Sequence, residues 1–374
     1  MSTIRVFLVD DTAAVRHILT QILEEDPDIV VVGTAADGRQ GLDRLHRVEA
    51  DLLILDVEMP GMGGLEMLKE LKVSRPELPV LVFSSITERG AMVTIEALSL
   101  GASDYVPKPA MVGTAAEARD YIKNSLLGKI KTLLQRYNKP SVAYAEPAKT
   151  PRPVASQLPH QRIPSRVDLV VIGASMGGPS ALGQLIPSLP GDFPAPILVV
   201  QHMPAVFTRA LATRLNQNAA LNVAECDSRQ RAEPGQVWLA AGDYHMTVDK
   251  QGDNTLIAPL RSEPVNFCRP AVDILFSSAA RHFGSNVLAV VLTGMGQDGL
   301  DGCRQLARSG AQIVVQDQAS SAVWGMPGVV SRAGLACAEL PLQDMSTEIM
   351  RRVNRGRPTF RARQRAAMNP EAQG

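Results

Sequence analysis

An α/β protein of two doubly wound, mainly parallel-sheet domains is what the rhythm of this chain predicts. Short β-branched and aliphatic runs alternate with helix-length amphipathic segments over residues 4–137, and the alternation resumes at residue 167. Such a pattern is that of strands buried on both faces and joined by crossover helices. The 374 residues exceed what one core usually organises,. With 45% hydrophobic but only 4% aromatic residues, aliphatic side chains must build both cores.

In the first series, IRVFLV precedes TAAVRHILTQILEE, DIVVVGTA precedes GRQGLDRLHRVEA, and DLLILDV precedes GGLEMLKELKVSR. PVLVFSS then precedes GAMVTIEALSL, and ASDYVPKP leads to a last helix near Ala115 to Tyr137. Five such units predict a flavodoxin-like (βα)5 domain, with its functional groups at the carboxyl ends of the strands. From Lys139 to Arg166 the text turns proline-rich and aperiodic, an exposed linker,.

The second series opens with DLVVIGAS and GPSALGQLIPSL, then PILVVQH and VFTRALATRLNQN. It continues with VDILFSSAARHFG, NVLAVVLTG, a helix from Gly299 to Arg308, and AQIVVQD. Between these, GQVWLAA, HMTVDK and TLIAPL are strand-like and separated by GDY and DKQGDN turns, which predicts an antiparallel hairpin inserted at one edge,. The expected organisation is a first domain over residues 1–126, a helix end and linker over 127–166, a second domain over 167–350 and a basic, frayed tail over 351–374.

Lys plus Arg and Asp plus Glu both number 38, which gives no ground for nucleic acid or an anionic membrane as main partner,. The balance is uneven along the chain: residues 1–126 carry 12 basic and 20 acidic side chains, 127–166 carry 8 and 1, 167–345 carry 11 and 15, and the rest 7 and 2. The N-terminus carries aspartates where a secretory core would be apolar, and no apolar run is long enough to span a bilayer. A cytoplasmic protein without direct membrane insertion is expected. Cys226, Cys268, Cys303 and Cys337 form no C-x-x-C pair and read as reduced structural thiols,.

Two constellations carry chemistry. Asp10 and Asp11 end the first strand, Asp56 the third, Ser84 the fourth, and Lys108 follows the fifth, so all five converge on one rim. Carboxylates gathered in this way call for a hard divalent cation, and Mg²⁺ is expected. A metal and a lysine together suit a phosphoryl group. Residues 4 to about 125 resemble a two-component receiver domain. The resemblance implies that Asp56 is the phospho-acceptor, and that Asp11, Asp56 and the Glu58 carbonyl hold Mg²⁺ with Asp10 beside them. It also implies that Lys108 pairs with the phosphoryl group while Ser84 and Tyr105 report its arrival.

In the second domain, Gly173 to Gly177 fit G-x-S-x-G between a strand and a helix,. His202 ends the next strand and is the best-placed base for Ser175, with His245 a weaker rival. Asp298, in the turn TGMGQDG, is the best orienting acid, with Asp301 and Asp273 less well placed. Backbone amides of the GMG turn can face an oxyanion. The order Ser, His, Asp departs from that of the α/β-hydrolases. Hydrolysis by such a triad needs no cofactor.

Residues 166 to 350 resemble the catalytic domain of the chemotaxis protein-glutamate methylesterases, the CheB type, through GASMGGPSAL, QHMP with FTRALATRLN, PGQVWLAAGDYHM, CRPAVDILFSSAA, LTGMGQDGLDG and DQASSAVWGMPG. That resemblance implies a triad of Ser175, His202 and Asp298 with the Met295 amide as oxyanion donor. It implies γ-methyl esters of glutamate on methyl-accepting chemotaxis receptors as substrate, deamidation of receptor glutamines, and a chemotaxis histidine kinase as phosphodonor. Arg269 is a candidate for positioning the substrate helix. A receiver joined to a hydrolase predicts activation by phosphorylation, the unphosphorylated receiver restraining the Ser175 cleft.

Overall fold

A computed structural model describes residues 3–109, 114–137 and 166–357, which form two α/β units. In the first, β1 (Ile4–Val9), α1 (Ala13–Glu24), β2 (Ile29–Ala35), α2 (Gly38–Leu45), β3 (Leu52–Leu55), α3 (Gly64–Ser74), β4 (Val80–Ser84), α4 (Glu88–Ser99), β5 (Asp104–Pro107) and α5 (Ala115–Tyr137) follow in turn. The strands are parallel and ordered β2-β1-β3-β4-β5. Every residue of β3, β4 and β5 is buried, as expected of short aliphatic strands covered by helices on both faces. Asp37 and Thr87 start α2 and α4 by accepting the amides of Gln40 and Gly90,.

The chain reverses direction across the sheet between β1 and β3, and this switch point opens a crevice at the carboxyl ends of those strands,. The proline-rich stretch read as a linker lies outside the described residues except for its first helix end and residue 166.

The second series contains β6 (Leu169–Ala174), α6 (Gly178–Leu185), β7 (Ile197–Gln201), α7 (Ala205–Asn218), β8 (Asn222–Cys226), β9 (Gln230–Ala232), β10 (Gln236–Ala240), β11 (His245–Gln251) and β12 (Asn254–Leu260). It ends with α8 (Val272–Phe283), β13 (Val287–Val291), α9 (Leu300–Arg308), β14 (Gln312–Gln316), α10 (Met326–Arg332), β15 (Ala338–Leu340) and α11 (Leu342–Val353). Seven parallel strands are ordered β15-β14-β13-β6-β7-β10-β8. A separate antiparallel sheet is ordered β11-β12-β9.

Two expectations are corrected. GQVWLAA does not belong to the inserted hairpin: as β10 it lies between β7 and β8 in the parallel sheet, while β9 supplies the third antiparallel strand. A short alternating run satisfies either kind of pairing, so its partners decide. The basic segment is not frayed from residue 351. Helix α11 runs to Val353, the half-exposed stem of the tail ends on Arg357, and its guanidinium donates to the carbonyls of Pro194 and Val167. Residues 358–374 lie outside the described ones. Among the described residues no helix is long and apolar enough to cross a membrane.

Candidate active site

Three neighbouring central strands, β13, β6 and β7, deliver Asp298, Ser175 and His202 to one edge. Ala174 and Gln201 are register partners, so Ser175 and His202 are the next residues on adjacent parallel strands, about 4.8 Å apart along the hydrogen-bonding direction. The pairing continues past the strand ends. His202 N donates to Ala174 O (3.1 Å), and Ser175 N donates to Thr293 O (3.0 Å). Gln201 Nε2 also donates to Ser175 O (2.8 Å). Gly177 then turns the chain into α6 with φ of 73°, a conformation that L side chains rarely adopt,. A Cβ at Gly294 would stand 2.9 Å from the Ser175 Cβ and 2.4 Å from the Met326 sulfur. Only glycine lets that turn approach the serine so closely.

His202 Nε2 lies 2.7 Å from Asp298 Oδ2. Asp298 is only 2% exposed, and its charge is met by the start of α8: Val272 N donates to Oδ2 (2.6 Å) and Asp273 N to Oδ1 (3.2 Å),. Gly299 N (3.0 Å) and Asn266 Nδ2 (3.0 Å) complete its partners on Oδ1. Burial pushes the Asp298 carboxyl up, but the bond to His202 and these donors hold it below the usual aspartate value. Burial likewise pulls the His202 imidazole down, yet Asp298 and the neighbouring Cys268 outweigh it and raise the ring to about 9.

Two consequences follow for pH. If His202 accepts the serine proton, kcat/KM for an ester rises with pH and levels off only above about 9,. Because the folded value lies above the free-imidazole value of about 6.5, the pair's contribution to stability is complete below about 6.5 and is lost as pH climbs through about 9,. A pH–rate profile and urea midpoints on either side of that window check both. A rate flat across the window would exclude the imidazole as base.

The rival residues are occupied elsewhere. His245 is buried, its Nδ1 accepts from Ala271 N (3.1 Å), and its Nε2 faces the Glu263 carbonyl (3.0 Å), so both nitrogens brace the loop. Asp273 receives Gly302 N (2.7 Å) and Asn266 Nδ2 (2.8 Å). Burial, with the Asp298 charge beside it, pushes its carboxyl up to about 6. Asp301 pairs with Arg304 at the surface (2.5 Å). Arg269 donates to Ser262 O (2.9 Å). Met295, in the turn after β13, is about half exposed.

Sequence reasoning missed Asn266, which bridges the carboxylates of Asp273 and Asp298 from a backbone at φ of 53°. It also missed the setting of Cys268. The reading of four structural thiols suits Cys226 and Cys303, which are buried, but Cys268 is half-buried with its Sγ 3.5 Å from His202 Nδ1. Neither has a signal in the sequence, since both lie on an irregular segment before α8.

The first unit gathers its own predicted residues. Lys108 Nζ lies 2.6 Å from Asp56 Oδ2 and 3.1 Å from Asp10 Oδ2. Asp10, Asp11 and Asp56 bring carboxylate oxygens within 4.8 Å of one another. Burial pushes the Asp56 carboxyl up, only partly offset by Lys108, to about 6. Burial also works against the Lys108 charge, but Asp56 and Asp10 hold its ammonium above the usual lysine value. Ser84 is buried and donates to Gly90 O (3.2 Å). Glu58 N donates to Asp56 Oδ1 (3.0 Å), and the Glu58 carboxylate receives Ser85 Oγ. Tyr105 is buried beneath Lys129, whose Nζ is 5.0 Å from its ring centre.

Comparison with known proteins matches the two units separately. A model of the response regulator receiver domain covers residues 6–118, and one of the CheB methylesterase covers residues 170–349. The protein-glutamate methylesterase/protein-glutamine glutaminase of Trichodesmium erythraeum is 44% identical over 94% of this chain and 100% of its own. The protein of the same name from Nocardioides sp. is 43% identical over 96% and 98%. A crystal structure of the Thermotoga maritima CheB methylesterase catalytic domain is 39% identical over 50% of this chain and 98% of its own, with a TM-score of 0.49. An imidazole–carboxylate pair beside a strand-end serine, the two matched domains in this order and relatives aligned nearly end to end place the chain in the receiver-bearing CheB methylesterase family of protein-glutamate methylesterase/glutaminases.

Proposed function

We propose that Ser175, His202 and Asp298 hydrolyse glutamate γ-methyl esters, and deamidate glutamines, on methyl-accepting chemotaxis receptors in the cytoplasm. The observation that carries this reading is the 2.7 Å bond between His202 and the buried Asp298, one strand-step from Ser175. Since Asp298 holds Nε2, the Ser175 proton passes to Nδ1, the nitrogen that also faces Cys268 Sγ at 3.5 Å. Ser175 Oγ attacks the ester carbonyl carbon as its proton passes to His202, and Asp298 stabilises the imidazolium. Collapse breaks the C–O bond; methanol leaves with that proton, or ammonia does from an amide. Water, deprotonated by the same imidazole, then cleaves the acyl-serine and releases glutamate.

The Met295 amide, in the turn beside Gly296 (φ 88°), is the donor assigned to the developing oxyanion,. Arg269, which donates to Ser262 O, is the candidate for positioning the substrate helix.

In the receiver, Asp56 is the phospho-acceptor and a chemotaxis histidine kinase the donor. Its three clustered carboxylates fit a hard divalent ion: Asp10, Asp11 and Asp56, with the Glu58 carbonyl, would hold Mg²⁺, which neutralises charge on the incoming phosphoryl group,. Lys108 pairs with that group, and Ser84 and Tyr105 respond to it. The test is methanol release from methylated receptor membranes, with and without a small phosphodonor. Release that rises with phosphodonor is expected; none from methylated receptors under either condition would overturn the reading.

A further inference from the structure

We infer that Cys268 and His202 form an inhibitory site for a soft divalent cation such as Zn²⁺, which would switch the hydrolase off by occupying its base. The inference rests on the function proposed above, because the ligands flank that same catalytic imidazole.

Cys268 Sγ and His202 Nδ1 stand 3.5 Å apart. A tetrahedral zinc ion with bonds of about 2.0–2.1 Å to nitrogen and about 2.3 Å to sulfur spans its two ligands at about 3.5 Å. The pair is therefore already set at the spacing the ion requires. The other ring nitrogen is held by Asp298 at 2.7 Å, the carboxylate–histidine arrangement that orients metal-binding imidazoles and raises their basicity. Asp298 is itself fixed by the amides of Val272, Asp273 and Gly299, so the ring does not need to turn. Cys268 is fixed as well, through reciprocal backbone bonds with Val265 of 3.1 and 2.9 Å.

The chemistry of the donors selects the ion. A thiolate with an imidazole is a soft pair that suits zinc and disfavours Mg²⁺, which prefers oxygen. Asp298 oxygens lie within 4.8 Å of the other two donor atoms, but they face the opposite ring nitrogen and back the site rather than complete it. Two protein ligands leave two positions to solvent, a reversible site and not a structural one. Binding releases the thiol proton to solvent and leaves no ring nitrogen for the Ser175 proton, so ester hydrolysis stops.

The test uses the full chain with Mg²⁺ in excess and Zn²⁺ as the probe, each protein being compared with its own zinc-free rate. Zinc is expected to inhibit the unaltered chain reversibly, and Cys268→Ser to need about tenfold more or greater for the same inhibition. Titration with Co²⁺ reads the site without activity. A sulfur-to-cobalt charge-transfer band is expected and should be missing in Cys268→Ser. Equal inhibition in both proteins, or a band unchanged by Cys268→Ser, would overturn the inference. So would inhibition relieved by Asp56→Asn instead, which assigns the ion to the receiver carboxylates. If the chain lacked esterase activity altogether, the cobalt band would still decide the metal site by itself.

Discussion

Ser175→Ala is expected to lose methanol release by about 10⁶-fold in kcat, the scale seen when a triad nucleophile is deleted. The argument is geometric. His202 keeps its bond to Asp298, and Asp298 keeps its amide donors, since none of these passes through the serine side chain. The Ser175 Cβ beside Gly294 also survives, so the unfolding free energy is expected to change by no more than about 0.5 kcal/mol. What disappears is the hydroxyl proposed to form the acyl intermediate. A loss of merely a few-fold would reassign the nucleophile, and a large fall in stability would make the activity loss uninformative about chemistry.

Asp56→Asn is expected to abolish stimulation by a phosphodonor while keeping the unstimulated rate. The amide removes the proposed phospho-acceptor and one of the two carboxylates that Lys108 contacts. Nothing in the second unit's His202–Asp298 pair depends on it. A phosphoryl group adds about two negative charges at the end of β3 and competes for Lys108 and the Ser84 hydroxyl, now bonded to Gly90 O. Rates with and without phosphodonor, measured on both proteins, check this. Undiminished stimulation in Asp56→Asn would break the link between the receiver and the hydrolase.

Much of this was legible because strand ends can be read from composition. Runs such as LLIL and VLAVV are wholly buried, and the polar residue after each is almost forced to the carboxyl edge. That rule placed Ser175, His202, Asp56 and Lys108 just past strand ends, where they lie, and put Asp298 in the turn that follows β13. The helix pattern likewise placed α5 at Ala115–Tyr137.

The rule fails where no period exists. Asn266 and Cys268 sit on an irregular segment between β12 and α8, where Asn266 and Phe267 adopt φ of 53° and 61°. Their contacts depend on that backbone, which nothing in the residue types announces. The QVWLA strand was misplaced for a related reason: five residues reveal that a strand forms but not its neighbour, and its register with β7 and β8 is a tertiary choice,.

The placement of the proposed triad after three adjoining strands has a consequence for biosynthesis. Strand β6 sits between β7 and β13, yet β13 is made long after it, once the separate antiparallel layer has been synthesised. A nascent polypeptide therefore carries Ser175 and His202 for many residues before Asp298, so the proposed triad is complete only after the centre of the sheet closes.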